Sequence, residues 1–238
     1  IHLNGRVMKN KYCYPNTNVL INEYNIKDKE TLEKLEIQKV SVKLLRLYID
    51  PLVINVPNDI EHLIAINLYL FGEIYPWAGN FRKENIEKAE RVLSGASAEY
   101  CNYPEIFKKL NVFFSKFSAI DWNVNTIDNV VSFVTELWNI HPFREGNTRT
   151  CITFTWHYLL SKNIKFNSMS LGKNPRYVRD SLVMANYDEY EYIKRIIKDA
   201  LNGGYFLENN NCEYTPQEDY KISKQEYQAF KEKYKVKK

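Results

Sequence analysis

Ten consecutive residues, His141-Pro142-Phe143-Arg144-Glu145-Gly146-Asn147-Thr148-Arg149-Thr150, collect side chains suited to moving a phosphate-linked group. His141 has the ordinary titration range of a general base near neutral pH. Glu145 is a hard oxygen ligand, of the kind magnesium takes alongside substrate phosphates. Gly146 lets the backbone turn and lets an anion come close. Asn147 tolerates unusual backbone angles and brings an amide donor. Arg149 can fork onto phosphate oxygens. Taken alone, a histidine at a helix end is more often a cap or a packed core group, and Gly-Asn is only a turn. Spaced together as they are here, base, acid and anion-binding groups point to phosphoryl or nucleotidyl transfer. Phe143 reads instead as an apolar anchor for the loop.

Such groups need rigid arms. Residues 127–140 before the stretch and 151–160 after it are both apolar-periodic, so the ten residues join two helices. The second helix would present unpaired N–H groups and a partial positive charge at its start, a ready cradle for an anion. Asp28 suits the cap of a helix from about Lys29 to Leu47. Pro57-Asn58-Asp59 caps the next, over about 60–74, which is apolar on most of its surface and so reads as central and buried. His62 within it reads as a packed or tethered side chain, and Trp77 as a packing post. Asn102-Tyr103-Pro104-Glu105 opens a helix whose Ile106, Leu110, Phe113, Phe114 and Phe117 form a core stripe. Thr126 can cap the helix leading into the loop, and Ser161-Lys162-Asn163 ends the one that follows it. Pro175 opens a further helix; Asp188 caps another to about Leu201, ended by Asn202-Gly203-Gly204. Residues 81–101 alternate charged and apolar side chains before a Ser94-Gly95-Ala96-Ser97 turn, the pattern of a short β-hairpin. Residues 205–220 read as a linker, and 221–235 as one more amphipathic helix.

The loop resembles the signature of the Fic/Doc family, His-x-Phe-x-Asp/Glu-Gly-Asn-Gly-Arg-x-x-Arg, here HPFREGNTRTCI. Two further stretches extend the resemblance: YPNTNVLINEYNIKDKETLEKLE, similar to the entry of Fic domains in bacterial toxins and translocated effectors, and LFGEIYPWAG. The resemblance implies a mainly α fold: a helical bundle around a central helix-loop-helix site, with a β-hairpin flap. It implies a Fic domain over 1–205 with an N-terminal extension (1–57), followed by a linker and basic helical tail (206–238). It further implies a protein adenylyltransferase that moves AMP from ATP to a Tyr, Thr or Ser hydroxyl of a target protein. His141 would be the base, Glu145 would hold Mg²⁺, and Gly146, Asn147, Thr148 and Arg149 would bind the nucleotide. Arg82, Lys83, Glu84, Asn85 and Ile86 would belong to a flap that docks an extended target segment by strand addition. Two positions depart from the signature: its last glycine is Thr148, whose branched side chain narrows the phosphate approach, and its last arginine, the γ-phosphate ligand, is Ile152. These departures keep a second reading open, a transferase that moves another group such as the γ-phosphate. No Ser/Thr-x-x-x-Glu-Gly/Asn inhibitory helix is found, so an inhibitor would be a separate small antitoxin protein.

Composition sets the frame. At 238 residues, with 45% apolar and 26% charged side chains, the chain is of ordinary globular make-up. No run of ~18 apolar residues appears, so no membrane span is expected. Cys13, Cys101, Cys151 and Cys212 show neither metal-ligand spacing nor a disulfide framework, which fits a reducing cytosol. The place of action is then cytoplasmic, or a target cell into which the chain is translocated. Residues 221–238 hold seven lysines and two glutamates, so +5 of the net +4 sits there and the rest carries about −1. That leaves nucleic acid an unfavoured partner and the tail a solvated helix end, or the handle of a weakly catalytic module that binds nucleotide or protein. Met8 offers a native start, which would make residues 1–7 an addition.

Overall fold

Caps and periodicity place most helices where the sequence predicts them. The structure, a computed structural model, describes residues 11–206 and 220–237. The expectations for residues 1–7, for Cys212 and for most of the linker lie outside these. Asp28 caps α1 (Lys29–Ile49), its carboxylate accepting from the Thr31 N–H at 2.8 Å. Asp59 caps α2 (Ile60–Phe71) in the same way. A 3₁₀ turn at Tyr103–Glu105, opened by Pro104, leads into α3 (Ile106–Ser118). Then come α4 (Thr126–Ile140), α5 (Asn147–Ser161), α6 (Ser168–Lys173), α7 (Pro175–Ala185), α8 (Glu191–Phe206) and α9 (Lys224–Lys237).

The central helix is α5. It packs against α2 on one side and α4 on the other, and every residue from Thr150 to Leu159 is buried. Phe133 of α4 gathers Phe113 and Phe117 of α3 and Phe154 and Tyr158 of α5 into one aromatic cluster. Burial of this size anchors both arms of the loop at roughly 25 cal/mol per Å² of apolar surface removed from water. A buried polar tether ties α2 to α5. His62 donates from Nδ1 to the Val56 carbonyl (2.9 Å), which leaves its Nε2 to accept from His157 Nδ1 (2.9 Å). His62 is thus the tether its setting suggests, and Trp77 stacks on Tyr75 with centroids 4.6 Å apart.

Several expectations are corrected. Asn125, in a left-handed conformation, holds the cap position of α4, while the Thr126 hydroxyl donates back to the Trp122 carbonyl (2.8 Å). Helix α8 starts at Glu191 rather than after Asp188, which sits in a turn at φ 65°. It also runs through Gly203 and Gly204 to Phe206, because packing on α4, α6 and α7 outweighs the weak helix propensity of glycine. The six-residue α6 carries no periodic signal long enough to read. Among the described residues no strand forms between 81 and 101. The chain does reverse there, with one antiparallel bridge, Ala89 to Ser97, around a 3₁₀ turn at Arg91–Leu93. A second isolated bridge joins Phe81 to Phe143 of the loop.

Candidate active site

The loop is built on strained backbone held by buried donors. His141 ends α4 with φ 49°, a left-handed conformation that costs a non-glycine residue roughly 1 kcal/mol or more. Arg82 holds it there. Its Nε donates to the His141 carbonyl at 2.8 Å, its N–H to the Pro142 carbonyl at 2.9 Å, and its remaining nitrogens to Glu84 and Cys101 carbonyls. Arg82 is only 2% exposed, so its side chain braces the His141 backbone from the interior instead of lying on the surface as a docking segment would. The Asn147 amide closes the loop: Oδ1 accepts from the Phe143 N–H (2.9 Å) and Nδ2 donates to the Phe143 carbonyl (2.7 Å). Its amide is therefore spent on the loop's own shape. Gly146 is required twice, by φ 77° and by space, since a Cβ there would lie 2.2 Å from the Phe71 ring.

His141 is 1% exposed and its tautomer is fixed. A carbonyl can only accept, so Nδ1 carries the hydrogen donated to Trp138 (3.1 Å) and Nε2 keeps its lone pair, with no partner. Burial, helped by the Lys88 and Arg179 cations, holds its pKa well below the ordinary histidine range, so the ring is neutral. The Tyr100 ring lies against it with centroids 3.9 Å apart. Four residues on, the Glu145 side chain is a quarter exposed. Burial works against its charge, yet Lys88, the Gly146 N–H and Arg149 outweigh that and hold the carboxyl at about 2. The described residues contain no group of three or more metal-ligating side chains. A magnesium ion at Glu145 would take its remaining ligands from phosphates and water. Just beyond, α5 begins without a side-chain cap, and its first N–H groups face the loop.

The remaining expected residues are placed differently from each other. The Thr148 hydroxyl accepts from the Trp138 indole N–H (2.9 Å), so the branched side chain turns back onto α4. Arg149 is turned to α1: Nη2 donates to Glu36 at 2.6 Å over the Phe71 ring, and Tyr75 donates its hydroxyl to the same carboxylate. Ile152 is buried in the core of α5. Lys83, Glu84, Asn85 and Ile86 follow Arg82, with the Asn85 amide bonded to Asn102 (3.1 Å) and to the Tyr103 N–H (2.9 Å). Sequence reasoning missed Lys88, Glu90 and Arg179. Arg179 forks onto Glu90 at 2.7 and 3.0 Å, joining α7 to the 3₁₀ turn at Arg91–Leu93. Only pairing across 57 positions, Lys88 to Glu145, and across 89, Glu90 to Arg179, reveals them. A cavity of about 500 Å³ opens beside Tyr100, lined by Asn139, Ile140 and Asn186 among others, and the Asn186 amide has no partner.

Comparison with known proteins adds a lineage to this geometry. Residues 57–159 match the model of the Fic/DOC family. A probable protein adenylyltransferase of Sinorhizobium fredii, y4lH, is 30% identical over 149 residues, which are 60% of this chain and 71% of that protein. The protein adenylyltransferase VbhT of Bartonella schoenbuchensis is 30% identical over 61% of this chain, but the match spans only 30% of VbhT. Among solved structures, the Bartonella tribocorum effector BepC with bound AMPPNP shares the fold at a TM-score of 0.63 and 20% identity, covering 82% of this chain and 98% of that one. With the histidine, acid and glycine of the signature in one loop after α4 and its asparagine opening α5, the chain belongs to the Fic/DOC family.

Proposed function

We propose that the chain is a magnesium-dependent protein adenylyltransferase that transfers AMP from ATP to a hydroxyl side chain of a target protein. The observation that carries this reading is the free lone pair of His141 Nε2 in the loop that leads into the uncapped start of α5. Nε2 takes the proton of the incoming hydroxyl, while Trp138 keeps the ring oriented through Nδ1. The first N–H groups of α5 bind phosphate oxygens and the charge that grows on them. A magnesium ion held by Glu145 would offset charge on the phosphates as pyrophosphate leaves. Residues 83–86 and the turn at 94–97 form the flap against which the target segment lies, and the short Ala89–Ser97 pairing marks its register. Relatives named protein adenylyltransferases support the reaction. A separate inhibitory protein and translocation into a target cell remain expectations of this reading.

A second reading, transfer of the γ-phosphate, is favoured by one observation: the last signature position is a buried isoleucine, so no arginine of α5 holds the terminal phosphate there. Parallel assays with ATP labelled at the α or γ phosphate separate the two. Label from α-ATP alone, lost by about 10²–10⁴-fold in His141→Ala at unchanged melting temperature, is the expected result. Label from γ-ATP alone would establish the second reading, and full turnover in the variant would remove His141 from the mechanism.

A further inference from the structure

Lys88 lies outside the signature loop, yet its ammonium sits 3.2 and 3.1 Å from the two oxygens of Glu145. The side chain is 16% exposed, so this is a sheltered pair rather than a solvated one. Its root is fixed on both sides. The Lys88 N–H donates to Ser97 Oγ at 3.0 Å, and Ala89 bridges Ser97. The Glu90 N–H bonds the Ala96 carbonyl at 2.9 Å, and the Glu90 carboxylate is clamped by Arg179 and the Tyr100 hydroxyl. A pinned backbone under a flexible four-carbon stem lets the ammonium pivot while its origin stays still. On α5, Ile152 stands where the signature has its last arginine, and Arg149 is held by Glu36. The nearest cation to the loop's acidic group is thus a flap lysine.

We infer that Lys88 is a nucleotide-binding residue of this chain: it neutralises Glu145 while no metal is bound, and moves to the donor's terminal phosphates once a divalent cation takes Glu145. The inference rests on the transferase reading above. Lys88 and a divalent cation then compete for one carboxylate, and linkage requires that removing the lysine tightens metal binding to the nucleotide-free chain. The same removal weakens nucleotide binding in the presence of metal, because the terminal phosphates lose a charge that Ile152 cannot replace.

The test uses the full chain and two binding readouts that need no turnover. Mn²⁺ binding without nucleotide is followed by electron paramagnetic resonance for wild type, Lys88→Met and Lys88→Arg. Lys88→Met is expected to bind Mn²⁺ about tenfold tighter, with Lys88→Arg close to wild type because the charge persists. Calorimetry with a non-hydrolysable ATP analogue at saturating Mn²⁺ is expected to show affinity for Lys88→Met about tenfold weaker than wild type. Equal Mn²⁺ affinity in wild type and Lys88→Met overturns the inference, as does tighter Mn²⁺ binding with unchanged nucleotide affinity. Failure of the transferase reading would instead appear as wild type that labels no protein from α-ATP, and both binding arms would still be read.

Discussion

The His141 ring carries its reactive nitrogen in a dry, cation-flanked setting, and this has a kinetic consequence. Its pKa is depressed by burial, then by Lys88 and Arg179, so the neutral, proton-accepting form persists at pH values below 6.5. The acid limb of kcat/KM is therefore expected below pH 6.5; a limb at or above that value would mean the ring is hydrated in solution. Gly146 gives a second residue-level prediction. A methyl group in Gly146→Ala would meet the Phe71 ring at 2.2 Å and hold a φ of 77° that alanine disfavours. The variant is expected to lose about 1–3 kcal/mol of stability in urea unfolding, together with transfer activity. Much of this was legible in advance, because His141, Glu145 and Gly146 announce themselves by type and spacing. The roles of Asn147 and Arg149 were less so. Spacing shows that an amide and a guanidinium lie in the loop, but not that Phe143 and Glu36 occupy them. Arg82 is the sharpest case: its sequence neighbours mark a surface flap, whereas its side chain runs inward to the His141 carbonyl. Arg82→Lys keeps the charge but loses the fork, and is expected to lower kcat about tenfold while KM moves little.

Helices were readable where a cap or an opening proline agrees with the apolar stripe, as in α1, α2 and α3, and poorly where tertiary contacts overrule local signals. The passage of α8 through Gly203-Gly204 is such an override, and the flap is another. Alternating residues suggested two strands, but the segment spends its hydrogen bonds on the loop, on Ser97 and on the Arg91–Leu93 turn. At this scale the α2–α5 tether predicts a pH response. Burial, then the neighbouring His62, lowers the His157 pKa to about 4. A folded-state value below the unfolded 6.5 means the unfolded chain binds the proton first. The associated stability is then complete above pH 6.5 and is lost as pH falls towards 4, by at most about 3 kcal/mol. Urea unfolding at pH 7.5 and 5 should show that loss in wild type and much less of it in His157→Gln. Equal losses in both would show that the pair does not carry the response.

The whole molecule is held together by elements remote in sequence. Helix α9, read from its lysines as a solvated tail, packs on the flap turn instead. Tyr227 bonds Asp180 and Arg91 at 2.5 Å, and Phe230 is buried against Tyr187. The lysines mark one face and concealed the other, because three or four apolar residues suffice to seat a short helix. Phe230→Ala is expected to release α9, at a cost of about 3 kcal/mol, and to raise amide exchange at Arg91–Leu93 measured by mass spectrometry. Unchanged exchange there would show that the turn holds without the helix. The pairing of Arg149 with Glu36 reaches further still, since the two are 113 positions apart and the family match begins only at residue 57. The loop therefore cannot be treated as a portable cassette. Transplanted onto another helical scaffold, or excised from residue 57 onward, it would carry a guanidinium whose counter-charge had been left behind. In descent, too, Glu36 and Arg149 should be inherited or replaced as one unit.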